Sequence, residues 1–294
     1  VNQGWKDSHD CISHKNGELL KGPIALCEVQ GYVYQAKLAA ARLARRMGRA
    51  QMGDELQFQA ETLKRKFNEV FWDPKKEFIA IALDGKKKPA RVLSSNPGHC
   101  LATEIIAPGF AAIVAKKLMS EELYSGWRIR TLGCREKRFN PMSYHNGSVW
   151  PHDTSLAAMG LATYGYSDSV VKICEDLFEA SSYFDMQRVP ELFCGFERRK
   201  DDGPTLYPVA CSPQAWAVAS VFLLIQSLLG IEIWAEKKEV CLKKSLLPKF
   251  LNELEVRHIS LGDGRLSLRF IRYGVDTGVE VLEKPRDWKL MIYK

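Results

Sequence analysis

The chain has 294 residues, of which 46% are hydrophobic and 26% charged. That balance excludes a disordered chain, and the length suggests about two domains of roughly 100–200 residues each, enough to bury a sizeable core. Forty-two Lys and Arg against 35 Asp and Glu leave a net charge of +7, but no basic block is denser than Lys86-Lys87-Lys88, so nucleic acid is not an expected partner. The longest apolar stretch, Ala215 to Ile225, is interrupted by Ser220 and stopped by Gln226. A membrane span needs about 20 apolar residues, so this stretch reads as a buried helix and a membrane is not an expected partner either. No signal-peptide pattern appears. The eight cysteines are dispersed and none forms a CxxC, which suits reduced core residues and a cytoplasmic protein.

The chain opens Val1-Asn2-Gln3-Gly4-Trp5, without Met and without a helix start signal, and is expected to be a piece of a longer protein. Ile24 to Gly48 carries Ala, Leu and Tyr at helical spacing, with Pro23 placed to open the helix. Asp54 to Phe71 is a second amphipathic helix with Asp54 as its expected cap. Phe78 to Leu83 is a short apolar run ending in the turn signal Asp84-Gly85, which predicts a small hairpin. Pro97 to Ala107 and Gly109 to Leu118 predict a helix pair broken at Pro108. Ser155 to Tyr164 and Val170 to Ser182 predict another, and Ser212 to Leu229 a last long helix ended by Gly230. No fixed-length repeat is visible, yet an apolar helix, a loop and a more polar helix recur, as in stacked helical hairpins. After Gly230 the pattern changes. Ile231 to Cys241, Leu254 to Ser260, Leu266 to Tyr273 and Val279 to Glu283 are short and partly alternating, with a turn at Gly262-Asp263-Gly264. The expected organisation is a helical domain over 1–230 and a small β-rich appendage over 231–294.

Function is expected in the loops. Loop one is Gly4 to Asp10, loop two Ser94 to His99, loop three Asn140 to Asp153 and loop four Arg188 to Phe193. They concentrate Trp, His, Asn, Asp and Glu. Flat aromatics suit the C–H faces of a sugar, and carboxylates or amides suit its hydroxyls. Cleaving a glycosidic bond further requires one protonated carboxyl on the leaving oxygen and one carboxylate on water or carbon. Asp7 and Glu191 are the natural pair to propose. The plainer alternatives are that Asp7 or Asp10 caps a turn, that Glu191 is an exposed loop carboxylate, that Trp5, Trp150 and Trp216 are core, and that His99 and His145 are loop hydrogen-bonders. His9, Asp10 and His14 lack the spacing of a metal site, so no metal and no cofactor is expected. The absence of GxGxxG, P-loop and GxSxG patterns removes the simplest nucleotide and esterase readings.

Seven strings, in order over roughly the first 230 residues, carry a resemblance: Val1 to Ser8, Gly22 to Tyr32, Ser94 to His99, Ser125 to Leu132, Tyr144 to Asp153, Pro190 to Phe193 and Ser212 to Trp216. Together they resemble bacterial amylo-α-1,6-glucosidase, or glycogen-debranching-like, proteins. The resemblance implies a mainly all-α fold, part of an (α/α)6 toroid related to glucoamylases, trehalases and processing glucosidases, that hydrolyses α-glucosidic bonds of an oligosaccharide or glucoside with inversion. It implies Asp7 as general acid and Glu191 as general base. It implies Trp5, Glu28, Gln30, His145, Asn146, Trp150, His152, Asp153, Gln214 and Trp216 as residues lining the pocket. The acid must be protonated at working pH, which calls for burial near aromatics such as Trp5. Arg128 stands where the resembled proteins usually have Gly, and His9 where a large aromatic or a small residue is expected. A full toroid has about twelve helices against about seven here, so the rest, with an N-terminal β domain, is expected upstream of Val1, and the partial toroid is expected to expose apolar helix faces. The alternatives are a hydrolase of glucosylglycerate or mannosylglycerate on the same toroid, a non-catalytic carbohydrate-binding fragment, and a solenoid interaction module.

Overall fold

The computed structural model describes residues 4–294; Val1-Asn2-Gln3, the start of the first resemblance string, lies outside the described residues. A two-residue strand β1 (Ala25–Leu26) leads into helix α1 (Cys27–Arg46), against which α2 (Ala50–Val70) packs. Pro23 does not open the first helix. Ala25 and Leu26 pair instead with Leu83 and Ala82, and the helix begins only where that strand ends. Asp54 is not a cap either: the second helix starts four residues earlier, and Asp54 lies inside it, 3.0 Å from Arg45 of α1. Strands β2 (Trp72–Asp73) and β3 (Phe78–Ile79) form one ribbon, and β4 (Ala82–Leu83) pairs with β5 (Pro89–Ala90) on one side and β1 on the other. The Asp84-Gly85 turn joins β4 to β5, with the Asp84 carboxylate accepting from the Lys86 and Lys88 N–H groups.

Next come α3 (Asn96–Ala102) and α4 (Pro108–Leu118). Pro108 does not break a helix; it occupies the first turn of α4, where a missing N–H costs nothing. Helix α5 (Pro151–Thr163) uses Pro151 in the same way and so starts four residues before the expected Ser155. Helices α6 (Ser167–Ser181) and α7 (Ala215–Leu229) complete this part, and Gly230 closes α7 in the left-handed conformation at φ 60°.

Helix α1 packs on α3, α3 on α5 and α5 on α7, giving an inner row, with α2, α4 and α6 packed against it from behind. They share a core that includes Cys27, Phe67, Phe71, Ile105, Val114, Leu161, Ile173 and Leu224. Small residues set the closest crossing. A Cβ on Gly98 would lie 2.5 Å from that of Ala157, and one on Gly160 would lie 2.5 Å from the Ala102 backbone N. At the two ends of the row, Val33 and Leu43 of α1 and Val218 and Phe222 of α7 are exposed.

Beyond Gly230 run β6 (Ile231–Trp234), β7 (Glu239–Lys243), β8 (Glu253–Leu261), β9 (Gly264–Tyr273), β10 (Asp276–Glu283) and β11 (Lys289–Tyr293), in two three-stranded sheets ordered β11-β7-β6 and β10-β9-β8. The run expected over 231–241 is split by a helical turn at Ala235–Lys237, which reverses the chain so that β6 and β7 pair antiparallel. Strand β11, parallel to β7, is an element that the residue pattern does not predict. Leu266, Leu268 and Phe270 of β9 form a second core with Leu242, Trp288 and Leu229, the last residue of α7. The fold is therefore mixed helix and sheet rather than mainly helical. No helix among the described residues is long and apolar enough to cross a membrane.

Candidate active site

The N-terminal ends of the four inner helices meet. Each carries polar residues at its start: Glu28 in the first turn of α1, Ser95 and Asn96 at α3, His152 and Asp153 in α5, Gln214 at α7. Ring contacts knit these ends together through loop one. Trp5 stacks on His99, with centroids 5.8 Å apart and planes 12° apart. It meets His152 at 4.9 Å, His145 at 5.5 Å and Trp150 at 5.6 Å edge to face. His152 in turn lies flat on Trp216, 4.0 Å away at 6°. Trp150, fully buried, is backed by His145 at 5.1 Å and holds its Nε1 on the Tyr144 carbonyl and Ser148 Oγ. Trp216 remains 38% exposed, so the group is an aromatic floor open to solvent on one side.

Loop one can lie this low because residue 4 is glycine. A Cβ there would sit 2.7 Å from Glu28 Oε1 and 2.3 Å from Leu26 Cδ1. Loops three and four are held by isolated bridges that join Arg130 to Val149, Val149 to Phe193 and Phe193 to Leu206. Thr131 is the hub. Its carbonyl accepts from Lys6 Nζ at 2.7 Å and from the Ser95 N–H at 3.3 Å. Its hydroxyl accepts from the Gly147 N–H and donates to the Ser148 carbonyl.

The two proposed carboxylates flank the adjacent residues Tyr144 and His145. Glu191 is 5% exposed; its Oε1 accepts from Tyr144 Oη at 2.9 Å and its Oε2 from the Cys211 N–H at 3.1 Å. Burial alone would raise this carboxyl, but the Cys211 N–H, the Tyr144 hydroxyl and the Gln214 side chain outweigh it and hold its pKa below the ordinary carboxylate range. Asp7 lies on the other side, with Oδ1 3.9 Å from His145 Nδ1. Its side chain is 84% exposed. The burial expected around Asp7 is absent, because Trp5 turns inward onto the histidines while Asp7 points out of the loop.

Beneath the aromatic floor a polar chain runs inward from the exposed Tyr32 to the buried His99 and Asp153. Tyr32 Oη is 2.5 Å from His99 Nδ1, and His99 Nε2 is 2.7 Å from Asp153 Oδ1. Burial opposes the Asp153 charge, but His99 and Lys6 outweigh it and keep the carboxyl low. Burial holds His145 and His152 neutral, each with its pKa lowered to about 4; Lys6 assists at His145, and His99 and His145 assist at His152. Asp153 Oδ2, Glu28 Oε1, Trp5 Nε1 and both His152 ring nitrogens have no partner among the described residues. Unpaired buried polar atoms of this kind are few in folded proteins.

Of the proposed pocket residues, Trp5, Glu28, His145, Trp150, His152, Asp153, Gln214 and Trp216 come together here. Gln30 does not: its amide bonds back to the Leu26 carbonyl of its own helix. Asn146 stands one step behind, bracing loop one through Asp10. Tyr32, Lys6, Thr131 and Tyr144 are participants that the reading of candidate residues did not name, although Tyr32 lies one helical turn from Glu28, a spacing that puts both on one face; His99 was weighed only as a loop hydrogen-bonder. Among the described residues no group of three or more His, Cys, Asp or Glu could hold a metal. Asp10 is turned to Arg138 and His14 to Asp84.

The fold is shared with solved structures of glycosidases. A GH63 mannosylglycerate hydrolase from Thermus thermophilus in complex with glucose is 17% identical with a TM-score of 0.52, over 68% of this chain and 47% of that one. Neutral trehalase Nth1 from Saccharomyces cerevisiae is 16% identical with a TM-score of 0.56, over 74% of this chain and 40% of that one. A GH78 rhamnosidase of Bacillus is 14% identical with a TM-score of 0.62, over 91% of this chain and 27% of that one. The chain thus spans between about a quarter and a half of their lengths. No curated protein sequence matches it. Residues 14–193, more than half of the chain and including Glu191, match the family described as mannosylglycerate hydrolase MGH1-like glycoside hydrolase domain. The chain belongs to that glycoside hydrolase family.

Proposed function

We propose that this chain carries the active site of an inverting glycoside hydrolase on a partial (α/α)6 toroid, with Asp7 as general acid and Glu191 as general base. The observation that carries the reading is the pinning of Glu191. A base must stay ionised and hold a water, and three hydrogen-bonding groups keep this carboxylate charged and oriented at the edge of the aromatic floor. A sugar ring laid on that floor would cover Asp7 and exclude water from it, the desolvation a general acid requires.

The preferred substrate class is a small glycoside of the mannosylglycerate or glucosylglycerate kind, in line with the family matched and with the Thermus structure. An α-linked gluco-oligosaccharide is the second reading, favoured by the seven debranching-like strings. A panel of mannosylglycerate, glucosylglycerate, trehalose and isomalto-oligosaccharides, followed by NMR of the first-formed anomer, separates the two. Inverted product from the glycerate glycosides supports the first reading. Product of retained configuration from any of them would remove the inverting mechanism.

A further inference from the structure

Lys6 is 1% exposed, a rare state for a lysine. Its ammonium donates to the Thr131 carbonyl at 2.7 Å and lies 5.2 Å from the centre of the Trp5 ring. Asp153 faces it from α5, Glu28 and Cys27 from α1, Cys11 from its own loop, and His145 from loop three. Burial lowers the Lys6 pKa, and Asp153 first among its neighbours pulls it back up. The layout has two consequences. Loop one, which carries Trp5 and Asp7, is anchored to the residue that also ties loops two and three. Two buried carboxylates, each with an oxygen unpartnered among the described residues, lie within the electrostatic reach of this ammonium. Loss of the Lys6 charge would raise the Asp153 carboxyl, which His99 and Lys6 hold low against burial.

We propose that Lys6 is a positioning residue of this site: its buried ammonium fixes loop one, with Trp5 and Asp7, to Thr131, the residue that also ties loops two and three. The proposal rests on the glycoside-site reading for the identity of the ligand, but not for the anchoring itself.

The test uses the 294-residue chain with Lys6→Met and Lys6→Arg. Histidine ring signals followed by NMR should show His145 titrating near 4 in the parent chain and clearly higher in Lys6→Met, with Lys6→Arg restoring most of the shift. On a hydrolysed glycoside, Lys6→Met should lower kcat/KM by about tenfold or more and move the acid limb of its pH profile upward; a merely structural lysine would leave that limb in place. Unchanged His145 titration and an unchanged acid limb in a folded Lys6→Met chain would overturn the proposal. If Lys6→Met does not fold, the parent chain decides: the Lys6 ammonium should give a slowly exchanging nitrogen signal coupled across its hydrogen bond to the Thr131 carbonyl carbon, and a freely exchanging ammonium would overturn the proposal. If the parent chain neither binds nor cleaves any glycoside, the functional reading fails, and the His145 titration and the Lys6 ammonium signal still decide the role of Lys6.

Discussion

The helix-end region and the C-terminal sheets treat polar side chains in opposite ways. Around the starts of α1, α3 and α5, Glu28, Ser94, Ser95, Asn96, His152 and Asp153 are all buried, and every one has an atom unpartnered among the described residues. In the sheets the strongest charges stay at the surface. Arg269 of β9 stands among Glu253, Glu255 and Glu280 at 2.7–3.1 Å, while Leu266, Leu268 and Phe270 on the same strand face the core. A buried polar atom left unpaired costs about 1–3 kcal/mol. The first region therefore gives up stability in many places, and the second in few, such as Thr277 Oγ1. On the function proposed above, the polarity of the helix ends belongs to a ligand, and each prediction below tests that contrast.

The largest effect is expected at the two carboxylates. Glu191→Gln should lower kcat/KM by several orders of magnitude on any hydrolysed glycoside, whatever the leaving group, with KM little changed. Asp7→Asn should be as damaging on a poor leaving group and partly rescued on an activated aryl glycoside, which needs less protonation. Steady-state kinetics on the two substrate types reads both. Full activity in Glu191→Gln would move the chemistry away from the helix ends and break the comparison.

Much of this region was legible in the order of residues. The loop strings contain Trp5, Trp150, His152, Asp153, Glu191 and Trp216, and the fold brings them to one place. What was not legible lies in long-range polar contacts. His99 and Asp153 are 54 positions apart and Lys6 and Thr131 are 125 apart, so no local pattern announces either pair. His99 in isolation looks like any loop histidine. The helix starts were misjudged because a proline states only that a helix can begin there. Pro108 and Pro151 do begin one, while Pro23 precedes a strand pairing that only β4 reveals. Strand β11 escaped because its sequence, Lys289-Leu290-Met291-Ile292-Tyr293, does not alternate and its parallel partner is distant in the chain.

A second test acts on packing. Gly160→Ala would place a methyl group 2.5 Å from the Ala102 N and the Leu101 Cβ. Backbone cannot step aside as a side chain can, so the substitution should destabilise the chain by about 1–3 kcal/mol despite the better helix propensity of alanine. It should also loosen the 2.7 Å His99–Asp153 contact, which spans the same α3–α5 crossing. Urea unfolding checks the first effect and histidine NMR the second. A neutral or stabilising result would mean that the two helices can separate without cost.

Acid should act on the helix ends before it acts on the sheets. His145 and His152 are held at about 4 in the folded chain, against about 6.5 for an unperturbed histidine. Between those values the unfolded chain binds more protons than the folded one. Their contribution is therefore fully present above about 6.5 and falls as the pH drops toward 4. Glu191, held below its ordinary range, adds a loss of the same sign at lower pH. Melting curves should show a constant midpoint near neutrality and a falling one below about 6.5, less steep in His152→Gln. A midpoint flat down to pH 4.5 would contradict the neutral buried histidines.

The smallest effect is expected in the sheets. Arg269→Ala removes three ion pairs at once, and a count of contacts would rank it beside the loss of a buried charge. Its partners argue otherwise. The Glu253 and Glu280 side chains are about half exposed, and Arg269 is itself partly solvated, so water can replace the guanidinium at each carboxylate. The substitution should shift the melting midpoint only slightly and leave kcat, KM and the His145 titration untouched. Repeating the melts at high salt should shrink even that difference, because exposed pairs are screened. A large, salt-independent loss from Arg269→Ala would show that the sheets also rest on buried charge. The contrast between the two regions would then say nothing about where the ligand binds.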